Sequence, residues 1–162
     1  MAIHLKKRHR LRRKEIKAIS ESLNPILSEP CFSTEDTIDK ADIDKFQVLL
    51  VEGEILGMIV DDVPFLTVKG ILKFRPSKRY VTIDMGAVQF IYNGADVMSP
   101  GIVDADPEIA TGDIVWIRDV RNLQPLAVGK ALMSGAEMKE AQSGKAVKSL
   151  HHVGDDLWNY EQ

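Results

Sequence analysis

The stretch 79–103, RYVTIDMGAVQFIYNGADVMSPGIV, constrains this chain more than any other part of it. Val81, Ile83 and Met85 alternate with Thr82 and Asp84, the period of a half-buried strand. Asp84 stands where an N-cap would be, its carboxylate placed to accept from the orphan amides of the following turn. Ala87, Val88 and Ile91 make one apolar stripe on a short helix, while Gln89 and Asn93 share its opposite face. Asn93-Gly94 ends that helix, because glycine takes the left-handed conformation that other residues resist. Pro100-Gly101 suits the central pair of a type II turn. Two glycine turns therefore bracket a polar helix face, where backbone amides can meet a phosphate or a base edge closely. Equally, both glycines can simply turn corners, and spacing alone does not choose between these uses.

Charge is unevenly spread. Residues 1–17 hold Lys6, Lys7, Arg8, Arg10, Arg12, Arg13, Lys14 and Lys17 against the single acid Glu15, a net +7; with −3 for the whole chain, −10 is left for the remainder. The distribution, more than the overall pI of 5.8, points to a polyanionic partner. Ile16, Ile19 and Leu23 repeat at helical spacing from Leu11 or Arg12, and Asn24-Pro25 ends the pattern. Arg10, Lys14 and Lys17 then fall on the outer face of this helix, a row able to follow a phosphate backbone. A solvated charged face and an Arg-rich transit segment are the alternatives. A run of positive charge leading straight into a core-facing stripe favours nucleic acid.

The rest reads as alternating strands and turns. Residues 25–44 are weakly patterned and read as loop. Strands are expected over 46–51 and 55–60 around Glu52-Gly53, followed by a short helix over 67–74 that Gly70 weakens. Arg75-Pro76-Ser77 closes this half, placing a domain boundary between 1–77 and 78–162. Further strands are expected over 113–120 and 126–133, the latter with a small-residue face of Ala127, Gly129 and Ala131. Ser134 and Glu137 form a capping box that opens another short helix. Strands over 147–153 and 157–160 pair around Gly154-Asp155-Asp156, with Trp158 closing the core.

Several chemistries are not expected. Asp104, Asp106, Glu108 and Asp113 sit in turn sequence with no histidine near them, and adjacent His151 and His152 point to opposite faces of a strand. No metal site, catalytic pair or cofactor follows. Cys31, the single cysteine, excludes an internal disulfide and reads as a small buried hydrophobe. No apolar run reaches a membrane-spanning length and the N-terminus lacks the apolar core of a secretory leader, so the expected place is the cytoplasm, without a membrane partner.

GAVQFIYNGADVMSPGI, followed by TGDIVWI (111–117), PLAVGKALMS (125–134) and VKSLHHVGDDLW (147–158), resembles the PUA domain, named for pseudouridine synthases and archaeosine transglycosylases. The first half, with its basic leading helix, GEILGM hairpin and V-P-F…L-K-F segment, resembles the N-terminal domain of one PUA family. Eukaryotic members of that translation-associated family work with density-regulated protein, and archaea carry shorter relatives. The resemblance implies an α+β fold: a small N-terminal α+β domain followed by a C-terminal PUA-type β pseudobarrel with two short helices. It also implies RNA contact at the first barrel helix, the following glycine turn and the next strand, helped by the terminal strand. That nominates Gln89, Asn93, Gly94, Ala95, Met98, Pro100 and Gly101, with Arg79 upstream and Lys148 and His151 from the end. Related members often carry lysine where Gln89 stands, so the neutral side chain shifts weight onto the basic arm. The implied function is non-catalytic: binding tRNA or rRNA, structured or at a single-stranded end, in ribosome-associated initiation or recycling, with the small ribosomal subunit and a translation factor as partners. The alternatives are an RNA-targeting subunit acting in trans with an RNA-modifying enzyme, and a protein-interaction module.

Overall fold

The computed structural model describes residues 3–43 and 45–161. They form two compact units, one of the described residues up to Ser77 together with 156–161, the other of residues 78–155. The fold is α+β.

In the first unit, β1 (Lys6–Arg10), β2 (Ile38–Asp42), β3 (Gln47–Val51), β4 (Glu54–Val60) and β5 (Val63–Leu66) form an antiparallel sheet in that order, with α1 (Arg13–Leu27) and α2 (Val68–Phe74). Glu52-Gly53 and Asp61-Asp62 take positive φ at both positions, the backbone that two-residue hairpin loops require. Thr67 caps α2 by accepting from the Gly70 amide at 3.2 Å. Gly70 is there for room: a Cβ on it would collide with the Leu56 carbonyl oxygen, so its absence lets α2 lie directly on β4.

Five expectations fail in this unit. The basic segment does not begin a helix; residues 6–10 are a fully exposed edge strand paired with β2, so Arg10 does not share a helix face with Lys14 and Lys17. Helix α1 runs through Pro25 to Leu27, because completely buried Leu27 anchors the last turn and Ser28, in the left-handed conformation, returns its amide to the Asn24 carbonyl. Strand β2 lies inside the segment read as loop; it buries only Ile38 and Ala41 among charged neighbours. Strand β5 carries Pro64 and was not expected; it is tolerated on a sheet edge, where one missing amide costs no ladder bond. Residues 157–160 form no strand; 157–159 are turn. Leu157 packs with Ala41, Val48, Leu50 and Ile55, so the tail belongs with the first unit and not with the barrel as the 78–162 division had it. Trp158 is half-buried, with Lys69 Nζ 5.3 Å from its ring centre.

The second unit contains β6 (Tyr80–Ile83), α3 (Met85–Tyr92), β7 (Val97–Met98), a 3-10 turn (Ser99–Gly101), β8 (Ile102–Ala105), β9 (Ile114–Asp119), β10 (Pro125–Ala131), α4 (Gly135–Glu140) and β11 (Lys145–His152). Its strand order is β7-β11-β10-β9-β6-β8, with β6 parallel to β9 and the other pairs antiparallel. The two edge strands, β7 and β8, follow one another in the chain across the 3-10 turn, so the sheet curls into a near-closed barrel. Val81, Ile83, Ile91, Val115, Ile117, Leu126 and Val147 fill it. Pro100-Gly101 is not a type II turn: Gly101 lies outside the left-handed region, and its missing Cβ instead admits Ala87, whose Cβ would stand 3.3 Å from one.

Gly129 is the tightest place on β10, where a Cβ would stand 2.5 Å from both the Lys148 carbonyl oxygen and Val147 Cγ1. Gly129→Ala is expected to destabilise the barrel by at least ~1–3 kcal/mol through overpacking. Gly112→Ala, with positive φ but open space around it, should cost only the ~1–2 kcal/mol of backbone strain. Urea unfolding of the two variants checks the order.

Candidate nucleic-acid interface

Helix α3 is set by its ends. The Asp84 carboxylate accepts from the Ala87 amide at 3.0 Å, and the Asp84 amide donates to the Gly101 carbonyl at 2.9 Å, tying the helix start to the 3-10 turn. At the other end Asn93 is the cap and Gly94 follows at φ +85°. Ile91 is buried while Ala87 and Val88 pack on the core, which leaves Gln89 and Asn93 in solvent.

Between α3 and the chain from Ala95 to Gly101 lies a groove of about 610 Å³, lined by Phe90, Ala95, Val97, Met98 and Pro100 among others. Phe90 is 64% and Met98 46% exposed, so the groove walls offer apolar and aromatic surface to solvent. Its charged lining residues are Asp84, Asp96 and Lys145. Asp96 accepts from the Ser149 amide at 2.9 Å and lies 3.3 Å from Lys145 Nζ. The Ser149 N–H, and then Lys145, hold the Asp96 carboxyl below the usual carboxylate range. The lysine is already paired, so this groove suits a flat apolar group better than a phosphate.

The nominated residues divide. Gln89, Asn93, Gly94, Ala95, Met98, Pro100 and Gly101 lie along one continuous segment, and Ala95, Met98, Pro100 and Gly101 line the groove itself. Lys148 is exposed on β11, the strand that pairs with β7. Arg79 does not join them. It sits before β6, one four-residue strand away from α3 or about 13 Å along the chain, and its guanidinium donates to the Glu108 carbonyl at 3.0 Å. His151 is also misplaced by the expectation: it is 1% exposed and its Nδ1 lies 2.9 Å from Asp155. Alternation says that adjacent histidines face opposite ways but not which one faces out. The outer one is His152, beside Gly94. Phe90, exposed at the groove, is not among the nominated residues, although a large apolar residue off the Ala87–Val88–Ile91 stripe is a signal that can be read.

The basic arm is partly neutralised within its own unit. Arg8 and Arg10 both bond Asp39, whose carboxyl is held low chiefly by Arg10. Arg13 pairs with Glu35 at 3.2 Å and Lys17 with Glu21 at 3.9 Å. Lys6, Lys7, Arg12 and Lys14 are exposed and make no ion pair among the described residues. Burial, and then the Glu29 charge, push the Cys31 thiol up to about 12, far from a reactive thiolate.

Residues 79–153 match the PUA domain family. The chain is 41% identical, over 98% of its length and 99% of the relative's, to an uncharacterized protein of Methanocaldococcus jannaschii. It is 33% identical to translation machinery-associated protein 20 of Saccharomyces cerevisiae, over 72% of this chain and 68% of that one. This chain belongs to the translation-associated PUA-domain family. A crystal structure of a hypothetical protein from Pyrococcus horikoshii superposes on this PUA protein with a TM-score of 0.83 at 38% identity, covering 93% of this chain and 97% of that one. The likeness therefore takes in the N-terminal sheet as well as the barrel.

The lowered Asp96 carboxyl has a pH consequence. A folded-state value below the unfolded one means that the unfolded chain binds more protons on acidification. The contribution is present above the ordinary carboxylate range, near pH ~4, and is lost as pH falls through the lowered value. Asp96→Asn is expected to lower stability at neutral pH and to flatten its acid limb, measured by urea unfolding between pH 7 and pH 3.

Proposed function

We propose that this PUA protein is a non-catalytic RNA-binding component of translation. In this reading it holds the phosphates of tRNA or rRNA with the free cations of β1 and α1. The α3–β7 groove receives an unpaired base against Phe90. The observation that carries the reading is the groove: aromatic and apolar walls and no unpaired cation among its lining residues, with Gln89 and Asn93 exposed on the same helix outside that lining. Single-stranded RNA is recognised by stacking and edge contacts of this kind, with phosphates held separately by Lys and Arg. The name of the yeast relative, a translation machinery-associated protein, supports placing the action at the translation machinery; the reading adds the cytoplasm as its place, and the small ribosomal subunit and a translation factor as partners. A protein-interaction role is the second reading, favoured by the exposure of Phe90 and Met98 beside the acids Asp84 and Asp96. An RNA-targeting role alongside a modification enzyme would use the same groove.

Four free cations at about 0.7 counterions each on single strands predict a log–log salt slope of roughly −3. Replacing Lys6, Lys7 and Lys14 with alanine should reduce that slope by about 2 units, since each phosphate contact contributes about 0.7. Phe90→Ala should weaken binding by ~1–3 kcal/mol, the worth of one stacked base, with the slope unchanged. A flat salt response removes the arm from the mechanism, and full affinity in the Phe90 variant removes the groove. Crosslinking in cells with sequencing of the bound RNA should recover tRNA or rRNA. Recovery chiefly of messenger RNA would count against both the ribosomal and the modification readings.

A further inference from the structure

The terminal strand brings to the glycine turn an imidazole whose proton can be placed. His152 Nδ1 lies 2.9 Å from the Val153 carbonyl oxygen. A carbonyl oxygen only accepts, so Nδ1 carries the hydrogen and Nε2 of the neutral ring presents a lone pair. Nε2 has no hydrogen-bond partner among the described residues. No described side-chain nitrogen is both buried and unpartnered, so Nε2 reaches solvent. The ring is also held in place. The His152 amide donates to Asp155 at 2.9 Å, its backbone pairs with Ala127, and Nδ1 is engaged as described.

Gly94 lies directly against this nitrogen. A Cβ at position 94 would stand 3.2 Å from Nε2 and 3.6 Å from Cδ2, so glycine there serves both the left-handed turn and the exposure of the imidazole edge. Neither residue lines the groove that holds Phe90 and Met98. A nucleotide with its base in that groove would therefore present its sugar, not its base, to His152. A lone pair cannot receive a phosphate oxygen, which has no hydrogen to give at neutral pH. The ribose 2′-hydroxyl, a donor as well as an acceptor, meets both conditions.

We propose that His152 Nε2 accepts a hydrogen bond from the 2′-hydroxyl of a ribose lying against the Gly94 turn, which makes this edge select RNA over DNA. The proposal rests on the RNA reading of the groove and adds to it a residue and a sugar.

The test uses the full chain with one single-stranded oligomer sequence made as RNA, as DNA and as 2′-O-methyl RNA. One net hydrogen bond corresponds to roughly fivefold to tenfold tighter binding of RNA than of the other two by the unmodified protein. His152→Phe, which keeps a ring but no acceptor, should bring the three within about twofold while leaving the salt slope intact. His152→Gln, which restores an acceptor, should recover part of the preference. Nitrogen NMR of the unmodified protein adds a measurement free of any variant: Nδ1 protonated, Nε2 unprotonated, and the Nε2 signal moving when RNA but not DNA is added. A base amino group as the donor would leave DNA bound as well as RNA, and that result overturns the proposal. So does retained preference in His152→Phe, or an Nε2-protonated ring. If the Gln89, Asn93 and Gly94 amides respond to RNA and His152 does not, this inference alone fails. If none of them responds, the groove reading fails and takes the inference with it.

Discussion

The barrel depends on how its sheet closes. In the order β7-β11-β10-β9-β6-β8 the last strands on either side are consecutive in the chain, joined only by the Ser99–Gly101 turn. That turn is pinned from both directions. The Ser99 amide and hydroxyl both donate to the Gly144 carbonyl, and the Gly101 carbonyl accepts from the Asp84 amide. Because β6 lies beside β8 while β7 lies at the far edge, the chain must cross the seam between them, and α3 is the crossing. The seam is where the ladder is incomplete, so backbone and side chains there are available in a way that a continuous sheet would not allow. The groove is a by-product of closure: α3 bridges the gap, buries Ile91, and leaves Phe90 over the opening.

The electrostatics of the two units contrast. The −10 of residues 18–162 and the +7 of residues 1–17 suggest one strongly cationic arm, but folding spends part of that charge internally. Asp39 lies opposite Arg10 in the β1–β2 register and binds both Arg8 and Arg10. Exposed pairs of this kind add little stability, yet they lower the charge that a partner meets. What makes no ion pair among the described residues is Lys6, Lys7, Arg12 and Lys14, on β1, at the cap of α1 and in its first turn. The groove has the opposite character, apolar with its lysine paired to Asp96. In the proposed reading, attraction and discrimination fall to different residues, the free cations and the groove.

Local signals read correctly where one residue decides a backbone state. Asp84 as a cap, Gly94 in the left-handed region and the Ser134–Glu137 capping box are all present as the sequence implies. So is the Glu52-Gly53 turn. Misreadings cluster where pairing or packing overrides local preference. KKRHR has no apolar alternation, yet it is a strand, because β2 supplies the ladder and neither face needs burial. Pro25 stays helical because Leu27 is buried one half-turn on. Pro100-Gly101 becomes part of a 3-10 turn whose ends are held from outside it, Ser99 on the Gly144 carbonyl and the Gly101 carbonyl on the Asp84 amide.

By itself, the sequence determined the α+β class, the strand–cap–helix–glycine unit at 80–94 and the family to which the chain belongs. Each rests on short-range chemistry or on motifs whose spacing survives in the primary structure. Only the tertiary structure decided which members of the nominated set meet. Arg79 is spent on the Glu108 carbonyl and His151 on Asp155, while Phe90 lines the groove and His152 stands beside Gly94. A strand's period of two says that neighbours part, but only the closed barrel says which side is the inside.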